Sequence, residues 1–352
     1  MSGPLPVVMV VDTGTDDAAA LIWAVGCPEV ELVGVVADWG NVDADRAAEN
    51  TLRVLHSAGA GAVPVFRGLG KAAAGPNPAR FDASIVMGAD GLNGVEFEPA
   101  DRAAETEPGA EALVRLAREH GGELSLVALS PLTTVARSLE LEPDLPSMLR
   151  QVVVMGGAFF EGGNLGAVAE ANIGNDPLAA AAVVEAFGRP GALAGGEAPL
   201  IVPLDVTHRG TVTPDEIAAA GRATIPGGDA LHRIWEACWR YSILEMGDGL
   251  PVHDLLAAWT LVDPTVCDWE TLPVAVDTGG SAAWGMTVGD RRLTMIERSP
   301  LPDADRQRIK DMLGFAEARW QVALGIEVDR FRKGIDAWLG GDRRTTGEAH
   351  DG

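Results

Sequence analysis

The chain has 352 residues, 47% of them hydrophobic, and a formal charge of −24 from 51 acidic and 27 basic side chains. It can bury a large core, and its charge argues against a nucleic-acid partner, because phosphate binding needs basic clusters that this sequence lacks. Cys27, Cys238 and Cys267 show no zinc spacing, and the start MSGPLPVVMVVD has neither a basic leader nor an apolar run long enough for a signal or a membrane span, so isolated thiols in a cytoplasmic protein with no membrane partner are expected.

Short β-branched runs alternate with Ala-rich helical stretches, the order of an α/β protein with a mostly parallel central sheet flanked by helices. In chain order the expected strands are Pro6–Val11, Glu31–Ala37, Ala62–Phe66, Leu124–Leu129, Gln151–Val154 and Leu200–Leu204. Most are apolar at successive positions, as when helices cover both faces. The expected helices are Asp16–Val25, Ala44–Ala58, Gly109–His120, Leu132–Leu139, Pro177–Phe187 and His253–Leu261. After about residue 270, Leu272–Val276, Ala283–Val288 and Arg292–Ile296 read as a small antiparallel set around Gly279-Gly280 and Gly289-Asp290. Helices from about Asp305 to Leu324 and over Val328–Leu339 follow. Residues 1–340 are expected to form one domain and 341–352 a flexible tail. The long irregular segments Gly68–Thr106 and Gly156–Asp176 are the kind that build a site.

The densest chemistry lies in VVDTGTDDAAAL, residues 10–21. Asp12 ends a buried strand, while Asp16 and Asp17 open a helix, and this corner of a parallel sheet is where ligands bind. A helix cap needs one Asp, not three. Clustered carboxylates with no Lys or Arg among them call for a hard cation with oxygen ligands, Ca²⁺ or Mg²⁺, or for a retained proton. A phosphatase of the Asp-x-Asp-x-Thr type is disfavoured, because Gly14 stands where its second Asp belongs. In GLPVHDLLAAW, a loop delivers His253 and Asp254 to a helix start; His suits proton transfer near neutral pH, although such a pair is more often a cap with a partly buried imidazole. In MGGAFFEGGNLGAVAEANIGNDPLAA, residues 155–180, Asp176-Pro177 reads as a structural N-cap and first turn. Asn164, Glu170 and Asn172 have no such local duty and suit recognition of sugar hydroxyls.

These pieces, in this order over about residues 7–262, resemble the inosine–uridine-preferring nucleoside hydrolase family. The matching stretches are DTGTDDAAAL (12–21), GNV (40–42) with the later Asn50, PVFRG (64–68), GADGLNG (88–94) and SPLTTVA (130–136). The match continues through VVVMGGA and AEANIGNDPLAAA (152–181), VPLDVTHR (202–209) and VHDLLAAW (252–259). The resemblance implies the nucleoside hydrolase fold and a Ca²⁺-dependent enzyme that cleaves a ribonucleoside to free base and ribose. It implies that Asp12, Asp17, Asp254 and the Thr133 carbonyl hold the ion, and that Asp12 also takes a proton from the attacking water. Asp16, Asn41, Asn164, Glu170, Asn172 and Asp254 resemble the residues that hold the ribose, and His253 one that assists base departure. A homodimer or homotetramer is implied as well.

The sequence also departs from the family pattern. Val10 replaces an Asp and Thr13 a Pro in the acidic motif, Met87-Gly88 stands for His-Gly, and Thr134 for Asn. Ala171 replaces a bulky residue, and Trp39 is unusual and either stacks on a base or belongs to the core. Metal and ribose positions are kept while base-side positions Trp39, Met87 and Ala171 differ, so an unusual or modified base is expected. The alternatives are a ribosyl-transferring or bond-forming enzyme on the same fold, and an inactive nucleoside-binding protein.

Overall fold

The computed structural model describes residues 3–72, 83–245, 249–280 and 282–341. The tail expected from 341 onward therefore lies outside the described residues after Gly341. Among the described residues, nine strands form one sheet, seven of them parallel. Across the sheet the parallel strands run Val65–Arg67, Val30–Ala37, Leu5–Val11, Leu124–Ala128, Leu149–Met155, Leu200–Val202 and Arg319–Ile326. Cys267–Val276 and Thr287–Gly289 continue it antiparallel. A two-stranded antiparallel pair, Thr211–Val212 with Leu250–Pro251, stands apart.

Successive apolar residues in Leu5–Val11 point to opposite faces, and both faces are covered. Val7, Met9 and Val11 join a core with the helices Thr15–Gly26, Gly228–Glu245 and His253–Thr260, with Trp23 stacked on Trp259. Val8 and Val10 join a second core with Gly109–His120, Thr133–Leu141 and Pro177–Phe187. This explains why the strands read as unbroken apolar runs. Among the described residues, no helix is long and apolar enough to cross a membrane.

The C-terminal third corrects three expectations. Arg292–Glu297 is a helix, not a strand, and antiparallel pairing stops at Gly289. The helix expected over Asp305–Leu324 spans Asp303–Leu313 and ends at Gly314, whose φ of 64° is left-handed. The residues beyond it are a strand, Arg319–Ile326, with Trp320 and Val322 fully buried on one face. This strand is inserted between Leu200–Val202 and Cys267–Val276. Helices Pro214–Ala220 and Gly228–Glu245 were also not expected.

Candidate active site

The chain leaves Leu5–Val11 toward one side of the sheet and Leu124–Ala128 toward the other, which opens a crevice at their carboxyl ends. Asp12 is the first residue beyond the former, and Thr133 starts the helix after the latter. Asn41 holds the Asp12 carboxylate from two directions. Its main-chain N–H donates to Oδ2 at 2.7 Å and its side-chain amide to Oδ1 at 3.0 Å. The same amide reaches Asp17 Oδ2 at 3.3 Å, so one neutral donor bridges two carboxylates. Gly40 permits this approach, because a Cβ there would collide with Asp12 Oδ2. Asp17 is further fixed by the N–H groups of Asp12 at 3.2 Å and Gly14 at 2.9 Å. Asp16 turns the other way and accepts the Asp254 N–H at 3.0 Å, joining the two helix starts.

These groups border a cavity of about 870 Å³, counted out to its open mouth. Asp16, Asn41, Asn164, Glu170, Asn172 and Asp254 line its polar side, with His253, Met87 and Ala171 also on the wall. Asp12 and Asp17 lie buried behind Asn41, and Thr133 is buried too. Trp39 does not line the cavity, which corrects its assignment to the base side. Its ring is in the interior because its indole N–H donates to Thr133 Oγ1 at 3.1 Å, and that hydroxyl donates to Asp176 Oδ2 at 2.8 Å.

Asn164, Glu170 and Asn172 do have local duties. Glu170 caps the helix Ala171–Asn175, its carboxylate accepting the N–H groups of Asn172, Ile173 and Gly157. Asn172 donates to the carbonyls of Leu129 and Met155, and Asn164 accepts the Ala171 N–H. Asp176 caps Pro177–Phe187 through the Ala179 N–H, as the Asp-Pro pair indicated. Asp205 gathers the N–H groups of Phe159 and Phe160, fixing the start of the glycine-rich loop.

Burial dominates the electrostatics. It raises the Asp12 carboxyl well above the ordinary range, with Asp17 adding to the effect. It raises Asp17 to about 6 against the opposing N–H groups of Gly14 and Asp12. Asp254 is pushed up by burial, then by the charges of Asp17, Asp16 and Asp12. No Arg or Lys is among the principal charges acting on these three, and none lines the cavity among the described residues. Among the described residues, no three His, Cys, Asp or Glu side chains converge as a ready-made metal cage. The donor chemistry itself, buried anionic oxygens lacking any counter-charge, fits a hard divalent cation. His253 precedes Asp254 at the same helix start, its Nδ1 2.7 Å from Thr207 Oγ1 and its ring edge-on to His208. Burial, then the His208 charge, lowers it to about 3. The imidazole is thus held toward its neutral form, in which it can hydrogen-bond a ligand.

Residues 7–333 match the profile of a family described as inosine-uridine preferring nucleoside hydrolase. The chain belongs to this family. A non-specific ribonucleoside hydrolase of Salmonella schwarzengrund is 32% identical over 337 residues, 95% of this chain and 97% of that protein. A pyrimidine-specific ribonucleoside hydrolase of Escherichia coli is 31% identical over 283 residues, 79% of this chain and 85% of that one. Among solved structures, a plant nucleoside hydrolase superposes with a TM-score of 0.81 at 27% identity, over 96% of this chain and 99% of the other. A purine-preferring ribonucleoside hydrolase from Gardnerella vaginalis gives 0.79 at 26%, over 97% and 100%. The protein is a ribonucleoside hydrolase, which breaks the N-glycosidic bond between base and ribose.

This nucleoside hydrolase has a cavity wall that motif reading missed. Trp235 and Cys238 line it from the helix Gly228–Glu245. The signal was present as periodicity: Leu231, Ile234, Trp235 and Cys238 fall at i, i+3, i+4 and i+7, and all are buried.

Proposed function

We propose that the enzyme is a calcium-dependent ribonucleoside hydrolase whose base side accepts an unusual or modified base. The observation that carries this reading is the mixed lining of the cavity. Among the described residues it holds carboxylates and amides with no Lys or Arg, together with the apolar or weakly polar Met87, Ala171, Trp235 and Cys238. Asp12, Asp17, Asp254 and the Thr133 carbonyl would hold the calcium. When bound, the ion supplies a hard positive centre that polarises water and orients the ribose hydroxyls. Asp12 accepts the proton of the attacking water at a carboxylate oxygen, steadied there by Asn41. Asp16, Asn41, Asn164, Glu170, Asn172 and Asp254 hold the ribose. As the glycosidic bond lengthens, the sugar gains positive charge, which these anionic and amide oxygens favour over the neutral ground state. His253 hydrogen-bonds the departing base.

Two features support the base assignment: Ala171 leaves wall space that a bulky residue would fill, and the Met87 sulfur packs against Gly14. The reading extends to a cytoplasmic homodimer or homotetramer, and Cys27, Cys238 and Cys267 are not joined in disulfides, in keeping with a reducing compartment. Release of ribose from inosine, uridine, cytidine, adenosine and a panel of base-modified ribonucleosides tests it. Higher kcat/KM on a modified base than on the four ordinary ones is expected. High kcat/KM on inosine or uridine with inactive bulky analogues would reject the base assignment, and activity undiminished by EDTA would reject the calcium.

A further inference from the structure

Asn50 lies on the inner face of the helix Ala44–Ser57 and is 1% exposed, among the buried residues Ala47, Thr51 and Val54. An amide in such a place costs stability unless its donors are met. Both are met by Nδ2, which donates to Thr13 O at 3.0 Å and to Asp90 O at 2.9 Å. These carbonyls belong to two different segments that border the cavity. Thr13 lies between Asp12 and Gly14 in the acidic loop. Asp90 lies in the turn after Ser84–Met87, whose Val86 and Met87 line the cavity.

The two segments also touch: the Met87 sulfur rests against Gly14, where a Cβ would collide with it. Gly91 packs on the amide itself, since a Cβ there would lie 3.2 Å from Asn50 Nδ2 and 3.4 Å from Thr13 O. The acidic loop has other anchors, namely Asn41 on Asp12, Gly14 N–H on Asp17, and the Thr13–Thr51 hydroxyl pair at 2.6 Å. The turn is bound internally through Asp90, which accepts the N–H groups of Leu92 and Gly94, and through the Asn93 amide on Val86 O, while the same amide reaches Cys238 Sγ on the helix Gly228–Glu245. None of these bonds is made to the acidic loop.

We infer that Asn50 is a positioning residue for hydrolysis: its amide clamps the Met87 wall to the acidic loop and so sets the distance between base and ribose subsites. Hydrolysis needs base and sugar held in one register, and displacements of a fraction of an ångström in such geometry are costly. The inference rests on the hydrolase assignment, which ribose release by the unaltered enzyme checks separately.

Asn50→Ala and Asn50→Asp, the latter equal in size but without donors, are compared with the parent and with Met87→Ala combinations. Measured are kcat and KM for uridine and the inhibition constant of free ribose, which carries no base. KM should rise about tenfold for the loss of two buried hydrogen bonds. The ribose constant should stay within about twofold and kcat within about threefold. Adding Met87→Ala to Asn50→Ala should cost less than it costs alone, since both act through one wall. Additive losses, or a ribose constant that rises in step with KM, would overturn the inference. If Asn50→Ala fails to fold, Asn50→Gln keeps both donors on a longer arm and displaces the wall; raised KM with unchanged ribose inhibition is then expected, and unchanged KM overturns it.

Discussion

Asn41→Ala removes the side-chain donor that bridges Asp12 Oδ1 and Asp17 Oδ2 while leaving the main-chain N–H on Asp12 Oδ2 in place. Hydrogen bonds to charged groups are each worth about 1.5–3 kcal/mol. The 3.0 Å bond to Asp12 counts in full and the 3.3 Å bond to Asp17 for less, so the loss is roughly 2–4 kcal/mol. That is a fall of about 30- to 1000-fold in kcat/KM. Asn41→Asp should be worse, because it places another carboxylate against a pair that burial already raises. Its remaining activity should appear at higher pH than the parent's, since the Asp12 carboxyl then loses its proton later. Turnover of p-nitrophenyl riboside, followed by absorbance across pH 5–9 with thermal melting as a fold control, measures both variants. Activity of Asn41→Ala within threefold of the parent would refute the reasoning that this amide organises the acids.

Asp12→Ala should lower kcat at least about a thousandfold with the melting curve preserved; substantial residual turnover would remove Asp12 from the proton-accepting role. His253→Ala should impair ribonucleosides with poor leaving bases more than p-nitrophenyl riboside, and equal losses on both would take His253 off the leaving group. Burial raises Asp38 to about 7, against N–H donation from Trp39 and Thr134. An acid raised on folding binds more protons in the native state, so its contribution to stability is full below the unfolded value near 3.8 and lost as pH rises through about 7. Between pH 5 and 8, EDTA-treated parent protein should therefore lose roughly 3 kcal/mol more than Asp38→Asn. Denaturant melts with equal pH slopes for the two would contradict that assignment.

Most of the parallel strands were legible because their signals are local: unbroken apolar runs, several of them followed by an Ala-rich helical stretch. The strand Arg319–Ile326 was not. Its Trp320 and Val322 alternate as a strand should, but the run adjoins a strongly helical segment, and only pairing with two distant strands decides its state. Among site residues, the acidic loop stood out because like charges in an apolar setting need a reason. Glu170 lines the cavity and is also a helix cap, and the second duty was not legible because it depends on Gly157 coming back within reach of its carboxylate. Trp39 could be read either as a base-stacking ring or as a core residue, because nothing in the chain announces that its indole N–H meets Thr133, 94 positions away. Trp235 and Cys238 carry no charge or motif, so a cavity wall and a plain core helix read alike in their spacing.

Calorimetric titration of calcium into EDTA-stripped protein tests the central claim most directly. Because burial and mutual repulsion raise Asp12 and Asp254, the site must shed protons to take up the ion. One tight site is predicted, with affinity rising with pH, an enthalpy that depends on the buffer, and loss of binding in Asp12→Asn and Asp254→Asn. No calcium uptake by a preparation that still releases ribose from a ribonucleoside would contradict it.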